Sequence, residues 1–213
     1  LSSPLKFSID HAILKATGES LDFIYSQFKN SLEARYNSVI RPIKLLSVDG
    51  NVVRSDGTTN IHPKWHPSKN GFAYLSNKSN DYFGQTSLYY FDLEKKKEEK
   101  IKSNVYSAPS WHSNGEVIFY SKKAKFPNKY GSRYYDIYYY NFITEKEERL
   151  TTDLRAFSPV FIEKDSLIAF ISTYDGGQDL FILNLKTNES QKVTNFENRP
   201  MISHLNYDSK EHA

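Results

Sequence analysis

Pro109-Ser110-Trp111-His112-Ser113-Asn114-Gly115-Glu116-Val117-Ile118-Phe119-Tyr120-Ser121 is the stretch on which the reading of this 213-residue chain turns. A proline two residues ahead of an aromatic opens it, a polar turn ending in glycine follows, and an apolar run closes on serine. The proline step recurs at Pro63-Lys64-Trp65, Pro159-Val160-Phe161 and Pro200-Met201-Ile202, with successive separations of 46, 50 and 41 residues. A period on the order of 40 to 50 residues is that of a propeller blade.

Each unit repeats internally. Polar turns at Pro67-Ser68-Lys69-Asn70-Gly71, Ser113-Asn114-Gly115 and Glu163-Lys164-Asp165-Ser166 precede short apolar runs: Phe72–Ser76, Val117–Ser121 and Leu167–Ser172. Third runs follow at Ser87–Leu93, Asp136–Asn141 and Asp179–Leu185, and fourth ones at Glu99–Ile101, Glu148–Thr151 and Gln191–Thr194. Four short strands joined by polar turns predict one antiparallel blade per unit. A lone four-stranded sheet cannot cover both faces, so blades must stack on one another. Aromatic side chains then dominate the seams, which is the role expected of Trp65, Trp111 and Phe161. Pro63, Pro109 and Pro159 open the innermost strands, where a missing N–H suits an unpaired edge, and Gly71 and Gly115 close the turns.

These residues resemble the TolB-like, WD-like propeller repeat: Pro-x-Trp, a polar Gly turn, an apolar strand ending in Ser, an Asp-ended third strand and a Leu-Thr fourth. The Ser-Pro-Asp-Gly wording common in that family reads His66-Pro67-Ser68-Lys69-Asn70-Gly71 and His112-Ser113-Asn114-Gly115 here, and Ile162-Glu163-Lys164-Asp165 in the third repeat. The resemblance covers residues 43–208. It implies a periplasmic or otherwise exported location and a protein partner, either an envelope lipoprotein or the protein's own neighbouring domains.

The expected fold is therefore all-β: blades of four antiparallel strands in a partial or truncated propeller, preceded by an N-terminal α-helical segment. Residues 1–42 form the helical segment. Residues 43–60 are expected to supply half a blade, with strands at Ile43–Val48 and Val52–Ser55 around Asp49-Gly50-Asn51. Full blades follow at 61–106, 107–156 and 157–198, the start of another at 199–208, and a tail at 209–213. Two readings of the incomplete ring stand open: a composite blade made from both ends, or a chain cut from a longer protein. The first lacks its second strand, and the chain opens on Leu1, so a trimmed piece is expected. In the helical segment, Leu21, Ile24, Tyr25, Phe28, Leu32, Tyr36 and Val39 recur at helical spacing. They predict an amphipathic helix of about five turns that stops near Pro42 and packs its stripe into a core.

Composition narrows the function. With 28 Lys and Arg against 25 Asp and Glu the net charge is +3, far from the basic excess that captures nucleic acid. There is no cysteine, hence no disulfide or thiolate chemistry. No apolar run approaches the roughly 18 residues of a membrane span. Neither a Gly-x-Ser-x-Gly elbow, nor a His-Glu-x-x-His helix, nor a phosphate-cradling glycine loop occurs, so no catalytic residue, metal ligand or cofactor is expected. His62 and His66 are four apart but flank Pro63 on a strand, and His66 and His112 hold equivalent blade positions, which favours a repeated structural or rim role. Asp175-Gly176-Gly177-Gln178-Asp179 lacks the alternating oxygen ligands of a calcium loop and reads as a hairpin turn.

The candidate interaction loop runs from Lys122 to Arg133. It carries Lys122, Lys123, Lys125, Lys129 and Arg133 without an acidic residue, interleaved with Phe126 and Tyr130, a pattern suited to an acidic partner. The expected function is a noncatalytic interaction module of the bacterial cell envelope. The alternative is the substrate-gating propeller of a larger peptidase, prolyl-oligopeptidase-like or zinc-peptidase-like, whose active site lies outside this chain.

Overall fold

Within each sheet every strand pairs with its neighbour in sequence, which is what a blade built from local hairpins requires. The computed structural model describes residues 8–82, 84–162, 166–174 and 176–208. Strands β1 (Asn60–Trp65), β2 (Gly71–Ser76), β3 (Ser87–Asp92) and β4 (Lys97–Ser103) form the first antiparallel sheet in that order. The second holds β5 (Ser110–Trp111), β6 (Val117–Lys123), β7 (Tyr135–Asn141) and β8 (Lys146–Arg149). The third holds β9 (Ala156–Ile162), β10 (Leu167–Ser172), β11 (Asp179–Asn184) and β12 (Glu189–Lys192). The expected blade fold is thus present three times.

The seams form as the aromatic spacing requires. Trp111, at the start of blade two, lies against His66 (4.6 Å between ring centroids), Tyr90 (6.0 Å) and Phe142 (5.4 Å), and its indole N–H donates to the Lys64 carbonyl at 3.1 Å. Phe161 repeats the move one blade on, 4.3 Å from His112 and stacked 5.7 Å from Phe119. Hydroxyls stitch the same seam. Ser107 and Ser110 accept the backbone N–H groups of Ser158 and Phe161, and Ser121 donates to the Ala156 carbonyl. Burial of these rings is the main source of blade-to-blade adhesion.

Trp65 departs from this role. It is 67% exposed and touches Phe72 of its own blade edge-on at 5.7 Å. Among the described residues no strand precedes β1, so no blade offers the acceptor and ring that Trp111 and Phe161 find. The same face of blade one is covered in part by Arg54, whose guanidinium lies 3.8 Å over the Phe91 ring.

The glycines of the two turns act differently. A Cβ on Gly71 would sit 2.5 Å from the Tyr90 hydroxyl and 2.6 Å from the Phe91 carbonyl, so the turn needs glycine for space. Gly115 has φ +72° and needs it for conformation as well.

The expected half blade at 43–60 is corrected by the structure. Helix α1 (Ile9–Thr17) ends on Gly18 at φ +82°, and α2 spans Leu21–Leu45, its N-terminus capped by the Ser20 hydroxyl accepting from the Phe23 N–H. The helix therefore passes through Pro42 and takes in Ile43–Leu45. Val48, Val52 and Val53 lie exposed outside any strand. Two strands of four to six residues would have had only each other, a marginal hairpin, whereas a helix satisfies its backbone locally. Pro42 sits in the last turns, where one lost backbone bond is tolerated more easily than mid-helix. Neither helix buries a residue, so the apolar stripe does not form the core expected of it. Residues up to Val53 and the propeller from Arg54 onward are separate compact units.

The blade expected to begin at 199–208 is also corrected. Residues 200–208 contain no strand; the Ile202 N–H donates to the Gln178 side-chain oxygen instead. No further strand is present among the described residues for this segment to pair with. The expected tail, 209–213, and the turn residues 163–165 and 175 lie outside the described residues. No helix of the described residues is long and apolar enough to cross a membrane.

Candidate interaction rim

The Lys122–Arg133 loop is an extension of the β6–β7 hairpin, and its own backbone holds it. The Ala124 N–H donates to the Tyr134 carbonyl, continuing the ladder beyond Lys123. At the tip, the Asn128 side-chain oxygen accepts from the N–H groups of Tyr130 and Ser132, both at 3.0 Å, while the Gly131 N–H returns to the Asn128 carbonyl. Asparagine is suited to this bracket because its short amide mimics a backbone turn.

The structure divides the seven candidate residues into three groups. Lys122 is neutralised: its ammonium pairs with Glu147 at 2.8 Å, and Glu147 also accepts from the Tyr120 hydroxyl at 2.5 Å. Desolvation of Tyr120, together with that bond, pushes the phenol well above the ordinary tyrosine range. Phe126, Lys129 and Tyr130 form the exposed tip, with Lys125 5.3 Å from the Phe126 ring centroid and Lys129 4.9 Å from that of Tyr130. Lys123, Lys125 and Arg133 line, together with the paired Lys122, a cavity of about 500 Å³ between blades one and two.

A second cavity of about 590 Å³, toward blade three, shares Tyr106, Lys123, Arg133 and Tyr135 with the first. The two are therefore one trough crossing the rim. The rings of Tyr106 and Tyr135 lie 4.9 Å apart in it, and Tyr106 is 57% exposed. Arg155 enters from the third blade, its guanidinium 4.3 Å over the Tyr134 ring and bonded to that hydroxyl at 3.0 Å. Hydrogen bonds from Ser132 first and Arg155 second hold the Tyr134 phenol below its usual range. Among the described residues the lining contains no carboxylate.

Tyr106, Tyr135 and Arg155 were not among the sequence candidates. Tyr106 and Arg155 sit in the loops just ahead of Pro109 and Pro159, so the repeat register carried the signal: loops at equivalent blade positions gather on one rim.

A third cavity, about 140 Å³, lies on the inner strands. Lys64 of β1, Ala108–Ser110 and Ser158–Phe161 form one side, and His204–Tyr207 the other. His204 stacks on His62 at 6.1 Å, and His62 takes φ +55° at the β1 bulge. Desolvation, reinforced by His204 and Lys64, holds the His62 imidazole below its ordinary range. No third ligand joins the pair: among the described residues there is no group of three or more His, Cys, Asp or Glu placed to hold a metal. Of the hairpin at 175–179, Asp179 is committed to Lys192 at 2.7 Å and Thr194 at 3.0 Å.

No family model matches the chain. Over 95 residues, 44% of this chain and 20% of the relative, the sequence is 35% identical to the Tol-Pal system protein TolB of Ruthia magnifica subsp. Calyptogena magnifica. The chain thus spans about a fifth of the curated relative it matches. The crystal structure of TolB from Acinetobacter baumannii superimposes with a TM-score of 0.55 at 19% identity, over 68% of this chain and 34% of that one. Hydrazine synthase of Kuenenia stuttgartiensis gives 0.52 at 12% identity, over 70% and 27% respectively. At these identities the structural likeness is one of fold. Sheet order, seam chemistry and the TolB match agree: the three blades between Asn60 and Lys192 are TolB-like β-propeller repeats.

Proposed function

We propose that this chain is a noncatalytic protein-interaction module of the bacterial cell envelope, exported to the periplasm, which docks a protein partner through one rim of its blades. The TolB match supports the setting, since that relative is named for the Tol-Pal system. The observation that carries docking is the trough itself: cations from two blades and a pair of close tyrosines gather at one rim, with no carboxylate among the described lining residues. A rigid sheet scaffold presenting loops is suited to recognition, because the blades hold the loop ends fixed.

The test is site-specific photo-crosslinking in bacteria that export the full chain. A benzoylphenylalanine at Tyr130, on the loop tip, is expected to yield an adduct with an envelope protein identifiable by mass. The same label at Ile143, exposed on the β7–β8 turn, is the control. Adducts equal at both positions, or none at Tyr130, overturn the reading.

A further inference from the structure

Resting on the interaction-module reading, we propose that the trough shared by Tyr106, Lys123, Arg133, Tyr135 and Arg155 is a binding site for an extended acidic peptide segment of the partner. Among the described residues no carboxylate forms an ion pair with Lys123 or Arg133, whereas Lys122, the adjacent lysine, is held by Glu147. The chain neutralises one lysine of the loop and leaves its neighbours open to the trough.

Shape and chemistry select the ligand. About 500 and 590 Å³ joined end to end exceed what a single carboxylate or small anion fills. Pockets of this order take several residues of a chain or a ligand of similar size. The tilted pair Tyr106 and Tyr135, 4.9 Å between centroids, offers an amphipathic floor on which peptide planes and apolar side chains rest. Arg155 is held over Tyr134 and spends one of its five N–H donors on that hydroxyl, which leaves the others for a carboxylate in the cavity that Arg155 and Gln178 line. Alternating acidic and apolar side chains match this alternation of cation and ring. A nucleic acid matches it less well, since the whole chain carries a net charge of only +3.

The purified full chain is titrated into a fluorescein-labelled peptide of about nine residues in which Asp and Glu alternate with Phe and Leu, with a Lys-for-acid version and a single-stranded oligonucleotide of equal charge as comparators. Binding of the acidic peptide that weakens as salt rises is expected, with a loss of about tenfold or more in Lys123→Glu/Arg133→Glu. Tyr106→Ala, a truncation of an exposed ring, is expected to weaken binding without altering the melt. Lys129→Glu, on the loop tip outside both cavities, is expected to leave affinity within about twofold. Absence of acidic-peptide binding, equal loss in Lys129→Glu, or tighter binding of the oligonucleotide overturns the inference. Crosslinks from Tyr130 that persist without peptide binding sink this site alone. Peptide binding without envelope crosslinks sinks the module reading and leaves the site.

Discussion

His66 Nε2 lies 2.9 Å from the Gly115 carbonyl oxygen, a bond between the turn of blade one and the turn of blade two. Its tautomer follows from its neighbours: Nδ1 accepts the N–H groups of Ser68 and Lys69 at 3.1 and 3.0 Å, so the proton sits on Nε2 and is donated to Gly115. One neutral imidazole therefore shapes its own turn and pins the next blade. Gly115→Ala places a Cβ 2.3 Å from His66 Cε1 at φ +72°. Ring and turn cannot both stay, and a loss of about 2–4 kcal/mol is expected, read from the urea midpoint. A midpoint equal to that of the parent chain removes this account of the seam.

The same geometry sets a pH dependence. Burial lowers the His66 pKa against a smaller raising effect of its bond to Gly115. With the folded value below the unfolded one near 6.5, the unfolded chain binds the proton first as pH falls. Stability is full above about pH 6.5 and declines as pH falls below it toward the folded pKa. The melting temperature of the full chain is expected to drop between pH 7 and 5. His66→Gln, which cannot titrate, is expected to melt lower at pH 7 but to show a shallower fall. Parallel pH curves for the two proteins exclude His66 as the group responsible. His62, also lowered by burial and stacked on His204, adds a slope of the same sign.

Trp65 and Trp111 occupy equivalent repeat positions in opposite surroundings, 67% and 9% exposed. Since these are the only tryptophans, fluorescence separates them. Trp111→Phe is expected to leave a red-shifted, water-like emission from Trp65, and Trp65→Phe a blue-shifted one. Trp111→Ala is expected to cost about 3–5 kcal/mol, as a buried aromatic does, and Trp65→Ala under about 1 kcal/mol, as an exposed residue does. Similar emission from the two single-tryptophan proteins contradicts the assignment of the seam.

The blades were legible in the sequence because each is closed by contacts within about 45 residues, and the proline step, the turn and the serine end all report on those contacts. The end segments were not. Ile43–Val48 alternates little and carries no partner, so strand and helix both fit it, and the helix running on from Leu21 decided the outcome. At the rim, the run of cations in one loop was visible. Which of them is neutralised was not, because Glu147 reaches Lys122 from a strand 25 residues away. Arg155 and Tyr106 became part of the trough only through the register between blades.

Asp136 closes the second blade in a way the Leu150-Thr151 signature only hinted at. Fully buried, it accepts from the Thr151 hydroxyl at 2.9 Å, the Arg149 guanidinium at 2.6 Å and the N–H groups of Asp153 and Leu154, both at 3.1 Å. Thr151 in turn accepts the Ile137 N–H at 2.9 Å, so one carboxylate and one hydroxyl tie the end of β8 to the start of β7. Asp179 and Thr194 repeat the device in blade three, with Lys192 in place of Arg149; the lysine bond is the main cause that holds the Asp179 pKa down. Asp136→Ala leaves Arg149 and two backbone donors without their acceptor and is expected to cost about 3–5 kcal/mol. Thr151→Val, which removes one hydroxyl of the same bracket, is expected to cost about 1–3 kcal/mol. The double variant is expected to cost clearly less than the sum, since both changes open one network. Hydrogen exchange supplies the local check: the Ile137 and Leu154 amides should lose protection in both variants, while those of blade one change only as far as global stability does. Additive losses, or amides that stay protected in Asp136→Ala, show that the bracket does not hold the blade.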